Sequence, residues 1–113
     1  MAQTATKDVE AAAIDRAQLA RMTFGDRNLE RELLELFDRQ AAMLIERMRA
    51  GGAVKPLAHT LKGSAAGIGA GDVARAAEAA ERADGADCSA AVDRLAQTVD
   101  RARALIAELL RAG

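Results

Sequence analysis

The apolar residues of this 113-residue chain recur mostly at spacings of three and four, which is the pattern of amphipathic helices. The clearest case runs from Leu29 to about Arg49, with charged residues mostly off the apolar stripe. Asp26 or Asn28 can cap its start, and Gly51-Gly52 ends it as a glycine C-cap. Its predicted core stripe is Leu29, Leu33, Leu36, Phe37, Leu44 and Met48.

Two elements flank this helix in the sequence. A short amphipathic segment precedes it and stops near Gly25-Asp26, with the apolar residues Ile14, Leu19, Met22 and Phe24. The next long helix starts near Val54, and Pro56 is tolerable because it falls in the first turn. Its predicted core stripe is Val54, Leu57, Leu61, Ala65 and Ile68.

The sequence after Ile68 predicts two more helices. Gly69-Ala70-Gly71 breaks the chain, and Asp72 can cap an Ala-rich helix that runs to about Ala83. After a turn at Asp84-Gly85, Asp87 or Ser89 can cap a last helix that reaches about Arg111. The apolar face of this last helix is Val92, Leu95, Val99, Ala102, Ile106 and Leu109.

No segment alternates apolar and polar residues as a strand would. Four substantial helices with short connections predict an all-α, antiparallel up-down four-helix bundle with a short additional N-terminal helix. Residues 1–12 are polar and Ala-rich, so we expect a flexible N-terminal lead-in followed by one domain over residues 13–113. One complete four-helix core needs no second copy, which favours a monomer.

Composition narrows the possible functions. Half of the residues are hydrophobic, but only Phe24 and Phe37 are aromatic, which suits thin, closely packed helices. The net charge is −1 with acids and bases interspersed, so no nucleic-acid binding surface is indicated. No apolar run approaches the roughly 18 residues of a membrane span, and the N-terminus lacks a secretory signal. Cys88 is alone, which excludes an internal disulfide and a cysteine metal cluster. We therefore expect a soluble cytoplasmic protein.

His59, the one histidine, lies on the helix that starts near Val54. At about 100° per residue, it points roughly 160° away from the core residues Leu57 and Leu61, so it should face solvent. Four residues fall within about 60° of its direction. They are Lys55, Lys62, Gly63 and Ala66.

Glycines beside His59 weaken the helix that carries it. Gly63 and Gly67 should each cost about 1 kcal/mol of helix propensity relative to Ala. An exposed face does not need such small residues for its own packing, but they let another molecule approach the ring closely. A neutral imidazole is a competent nucleophile, and Lys62 can offset the charge of phosphate oxygens. The pattern therefore indicates one half of a phosphoryl-transfer site.

The motif resembles that of histidine-containing phosphotransfer (HPt) domains. The family pattern H-x-x-K-G, followed by small residues and a Gly, is matched by His59, Lys62, Gly63, Ser64, Ala65 and Gly69. Downstream, Val73, Ala77, Ala80 and Glu81 match its apolar or small residues followed by Glu, and the run from Leu33 to Phe37 resembles its preceding helix. The likeness spans about Ile14 to Leu110.

The resemblance implies a four-helix bundle in which His59 accepts a phosphoryl group from a receiver-domain aspartate and passes it to a response-regulator aspartate. It implies that Lys62 assists electrostatically and that Gly63 leaves space beside the ring. Gly67 has no counterpart in the family pattern, and its place beside His59 is inferred from helix geometry alone. With Ala66, Lys55 and Ser64 it completes the predicted partner-binding surface. The expected partners are response-regulator receiver domains and a hybrid sensor histidine kinase. We expect no autonomous kinase activity and no cofactor or metal of its own, with any Mg²⁺ supplied by the partner receiver.

Three alternatives differ from this interpretation. The phosphoacceptor domain of a histidine kinase commonly has an acidic residue directly after the His, where this chain has Thr60. A non-catalytic helical adaptor with an incidental surface His predicts partner binding without phosphorylation. A hydrolase or metalloenzyme is disfavoured, because no motif places a second ligand beside His59 or a base beside Ser64.

Overall fold

The computed structural model describes residues 13–112, which form five helices and no strand. They are α1 (Arg16–Met22), α2 (Arg27–Arg49), α3 (Val54–Gly67), α4 (Gly71–Arg82) and α5 (Ala86–Ala112). The four longer helices pack in a closed ring, in which α3 contacts α2 and α4, and α5 contacts α4 and α2. The predicted all-α bundle with a short N-terminal helix is confirmed. The predicted lead-in, residues 1–12, lies outside the described residues.

Helix ends agree with the sequence at α2 and differ at α4 and α5. The Asp26 side chain accepts a hydrogen bond from the Leu29 backbone N–H at 3.1 Å, so Asp26 is the cap of α2 and Asn28, the other candidate, lies inside the helix. The predicted caps of the last two helices are wrong, because α4 and α5 begin one or more residues earlier and hold Asp72, Asp87 and Ser89 inside. Both acids still lie in a first turn, where the helix dipole favours negative charge.

The buried face of α2 differs from the predicted stripe. Its buried residues are Leu34, Phe37, Ala41, Leu44 and Met48, which recur at spacings of three and four. Leu29 and Leu36, both predicted to be in the core, are exposed, and Leu33 is half-buried. Since α2 has apolar residues on two neighbouring faces, periodicity alone did not select the one that packs inward.

Alanine supplies several core positions that the predicted apolar stripes do not include. Ala58 on α3 is fully buried, whereas the neighbouring Leu57, predicted to be in the core, is only half-buried. Ala77 and Ala80 on α4 are likewise fully buried. Small side chains at these positions let the helices approach closely, as expected from the Ala-rich composition.

The short helix α1 is fixed against the C-terminal end of α3. The Asp15 N–H donates to the Gly69 carbonyl at 2.8 Å, and Gln18 Nε2 donates to the Ala66 carbonyl at 2.9 Å. Leu19 is buried, but Met22 and Phe24 are exposed, which corrects their predicted place on the packed face of this segment. The chain reverses immediately after α1, so Phe24 takes a left-handed backbone conformation (φ 55°) and leaves the core.

Candidate functional site

His59 lies on the outer face of α3. Its side chain is 69% exposed, while Leu61 on the same helix is fully buried. The predicted outward direction of the ring is therefore confirmed. The imidazole is open to a second molecule.

Glu81, in the last turn of α4, joins the two chemically active residues of α3. Its Oε2 lies 2.7 Å from Nδ1 of His59, and its Oε1 accepts a hydrogen bond from Nζ of Lys62 at 2.8 Å. About one quarter of the Glu81 side chain is exposed, against one third of the Lys62 side chain. One carboxylate thus holds the ring and the ammonium group at the same time.

These contacts fix which nitrogen of His59 is free. The hydrogen bond from Lys62, followed by that from His59, lowers the pKa of Glu81 below its ordinary value of 4.5. An ionised carboxylate has no proton to donate, so Nδ1 of His59 must be the donor. A neutral ring then carries its proton on Nδ1 and its lone pair on Nε2. The nucleophilic nitrogen therefore faces away from Glu81.

The surroundings of His59 divide into two flanks, as helix geometry requires. At about 100° per residue, Lys55 and Lys62 fall to one side of the His59 direction and Gly63 and Gly67 to the other. The lysine flank faces the end of α4: Lys55 Nζ donates to the carbonyls of Glu81 (3.1 Å) and Ala83 (3.3 Å) and pairs with an Asp84 carboxylate oxygen at 2.9 Å. The structure therefore directs Lys55 toward α4.

The glycine flank is open. A Cβ atom added to Gly63 or Gly67 would meet no atom of a neighbouring residue within 4 Å. The fold itself does not require glycine at either position. Ala66, whose carbonyl accepts the hydrogen bond from Gln18, is also exposed.

A shallow apolar groove of about 260 Å³ runs beside the glycine flank, between α1, α2 and α3. Ser64 and Gly67 form its α3 wall, and the exposed Leu36 and Met22 form part of the facing wall. The other residues that line it are Leu33, Phe37, Gln40 and Ile68. The groove therefore continues the open surface beside His59 toward α2.

The structure brings together most of the predicted site residues. His59, Lys62 and Lys55 contact one helix end, while Gly63, Ala66, Gly67 and Ser64 form or adjoin the open flank. Glu81 was not predicted to be a site residue, because no local spacing connects two residues on different helices. The only signal was its match to a Glu of the HPt pattern.

Residues 13–112 contain neither a membrane-spanning helix nor a cluster of metal-binding side chains. No helix in this part of the chain is long and apolar enough to cross a membrane. Within the same residues, no group of three or more His, Cys, Asp and Glu side chains is placed to hold a metal ion.

The helical bundle presents an oriented imidazole beside an ammonium group, an arrangement that can accept a phosphoryl group. The family model of the Hpt domain matches residues 27–105, and the chain belongs to this family. Hpt domains carry out phosphotransfer in two-component signalling and work with receiver domains and kinases in phosphorelays. Comparison with curated proteins gave no match, and neither did comparison with solved structures.

Proposed function

We propose that the protein carries a phosphoryl group on Nε2 of His59. It takes this group from the phosphorylated aspartate of a receiver domain and passes it to the aspartate of a response regulator. The observation that carries the proposal is the contact between Glu81 and Nδ1 of His59, which leaves Nε2 free on a side chain that is 69% exposed. An incidental surface histidine needs no such orientation.

Transfer between the aspartate and His59 needs no further reactant. The Nε2 lone pair attacks phosphorus, an N–P bond forms, and the P–O bond to the donor aspartate breaks, which releases that aspartate as a carboxylate. Passing the group on reverses these events at the acceptor aspartate. The ring becomes positively charged as the N–P bond forms, because Nδ1 keeps its proton. The Glu81 carboxylate, 2.7 Å from Nδ1, stabilises that charge.

Lys62 supplies positive charge beside the transferred group. Its ammonium has three N–H donors, and the contact with Glu81 Oε1 occupies one of them. The remaining donors are available to phosphoryl oxygens, which carry most of the negative charge during transfer. Glu81 also keeps Lys62 close to the ring by holding both.

The glycine flank and the adjoining groove are the proposed docking surface for the receiver. Gly63 and Gly67 leave open space beside the ring, and Ser64, Ala66 and the exposed Leu36 extend it. Apolar contacts around a reactive centre exclude water, and surrounding charges adjust partner choice.

The proposal extends to the source of the phosphate, the metal requirement and the location of the protein. The protein has no kinase activity of its own and receives phosphate through a hybrid sensor histidine kinase. Any Mg²⁺ belongs to the receiver domain, where the aspartate is phosphorylated. The protein acts in the cytoplasm as a monomer.

The direct test is phosphotransfer from phosphorylated receiver domains to the purified protein and to His59→Gln. The expected product is acid-labile phosphate on the wild-type protein, mapped to His59 by mass spectrometry, and none on the variant. Receiver binding with no labelling of either protein would instead support the adaptor alternative. Labelling of His59→Gln at wild-type level would exclude His59 as the acceptor.

A further inference from the structure

Three residues of α3 converge on the end of α4. Lys55, His59 and Lys62 are spaced i, i+4 and i+7, so they share one face of the helix. His59 and Lys62 contact the side chain of Glu81, while Lys55 contacts the Glu81 backbone through a hydrogen bond to its carbonyl at 3.1 Å. Glu81 is therefore held at both its main chain and its side chain by the same helix.

The carbonyls that Lys55 contacts belong to a helix terminus. The last carbonyls of a helix have no intrahelical partner and carry partial negative charge. Since α4 ends at Arg82, the carbonyls of Glu81 and Ala83 lie at this terminus. The Lys55 ammonium donates to both carbonyls, at 3.1 and 3.3 Å. It thereby supplies hydrogen-bond donors to these carbonyls and a positive charge beside their partial negative charge.

The ion pair of Lys55 with Asp84, at 2.9 Å, contributes little to the stability of this arrangement. The Asp84 side chain is 84% exposed, and exposed ion pairs contribute little to stability. The two carbonyl contacts are what tie Lys55 to the backbone of the last turn of α4. A shift of that turn by about 1 Å would break the short contacts of Glu81 and misplace the reacting group.

We infer that Lys55 is a positioning residue for the transfer reaction: it fixes the end of α4 so that Glu81 holds His59 with Nε2 free. This inference rests on the proposed function and changes the predicted role of Lys55 from partner contact to internal support. The residue acts on the ring through Glu81 and needs no contact with the receiver.

The test compares Lys55→Met with Lys55→Arg and Asp84→Asn. The ¹⁵N chemical shifts of the His59 ring, measured on the unphosphorylated protein at neutral pH, report the tautomer directly. In Lys55→Met we expect a larger share of the tautomer protonated on Nε2, and phosphotransfer slowed by about threefold to tenfold. Lys55→Arg should keep the wild-type ring shifts and the wild-type transfer rate, because its guanidinium can still donate to the carbonyls. Asp84→Asn should match the wild type in both.

Two outcomes would overturn the inference. One is a Lys55→Met protein with wild-type ring shifts and a wild-type transfer rate. The other is wild-type ring shifts combined with weaker receiver binding, which would make Lys55 the partner contact that the sequence predicted. Because the ring shifts need no phosphate donor, they test Lys55 even if the protein fails to accept phosphate, and that failure would count only against the proposed function.

Discussion

Glu81 Oε2 lies 2.7 Å from His59 Nδ1, although the two residues are 22 positions apart and lie on different helices. The same carboxylate accepts a hydrogen bond from Lys62 through its other oxygen. The packing of α3 against α4 therefore does more than bury apolar surface. It orients the ring by a contact that neither helix could make alone.

Replacing Glu81 by Gln should slow phosphotransfer by about tenfold, the effect of losing one oriented hydrogen bond to a charged group. The Gln amide can either accept a hydrogen bond from Nδ1–H through its oxygen or donate one to Nδ1 through its NH₂ group, so Gln no longer selects the tautomer with a free Nε2. The rate of phosphate gain from a receiver checks this. Glu78→Gln is the matched control, because Glu78 lies on the same helix and pairs with Arg82. Equal rates for wild type and Glu81→Gln would remove Glu81 from the mechanism.

The Glu81 contacts should also make stability depend on pH in a defined direction. Hydrogen bonds from Lys62 and His59 lower the pKa of Glu81 in the folded protein below its ordinary value of 4.5. A group with a lowered folded-state pKa contributes stability above its unfolded pKa and loses it as the pH falls through the folded pKa. The stability difference between wild type and Glu81→Gln, measured by urea unfolding, should therefore shrink as the pH falls below 4.5. A difference that persists to the lowest pH would contradict the ion pairing.

The sequence predicted the bundle because apolar periodicity and glycine breaks are local signals. The outward direction of His59 could be predicted from its position relative to Leu61 on the same helix. Leu29 and Leu36 were misplaced because α2 has two adjacent apolar faces, and only contact with α3 and α5 decides which is buried. The roles of Glu81 and Lys55 depend on how α4 ends against α3, which no spacing within either helix reveals.

Removing the ammonium of Lys62 should raise the pKa of Glu81, because the hydrogen bond from Lys62 is the largest cause of its lowering. Lys62→Ala should also slow transfer, since it removes the positive charge that faces the phosphoryl oxygens. A ¹³C titration of the Glu81 carboxyl measures the first effect, and receiver-to-protein transfer measures the second. Lys62→Arg is the control that keeps a positive donor. An unchanged Glu81 titration in Lys62→Ala would show that the two side chains do not interact in solution.

Because the space beside Gly63 is open, substitutions there can test docking without disturbing the fold. Gly63→Ala should stabilise the protein by roughly 0.5 to 1 kcal/mol, because Ala favours the helix and meets no neighbouring atom. Gly63→Gln should also fold but transfer poorly, since its side chain occupies the surface beside His59. Thermal unfolding measures the stability, and transfer rates measure the effect on docking. Wild-type transfer by a folded Gly63→Gln protein would count against docking on the glycine flank.

Gly69→Ala serves as a contrast, because Gly69 has φ +79° and an added Cβ would lie 2.9 Å from the Asp15 carbonyl oxygen. It should destabilise the protein by more than about 1 kcal/mol.

Leu34 and Leu36 lie two positions apart on α2, and replacing each by Ala should affect stability to very different extents. Leu34 is 5% exposed, so Leu34→Ala should cost about 2 to 5 kcal/mol of stability by leaving a cavity in the core. Leu36 is 53% exposed and lines the groove beside Gly67, so Leu36→Ala should change stability by less than about 0.5 kcal/mol.

If the groove receives the receiver domain, Leu36→Ala should weaken receiver binding by about fivefold or more, as expected for an apolar contact worth about 1 kcal/mol. Urea unfolding and calorimetric titration with the unphosphorylated receiver measure the two quantities independently. Unchanged affinity in Leu36→Ala would place the receiver elsewhere on the bundle. The surface near His59 would then have to be reached by way of α4 and the lysine flank.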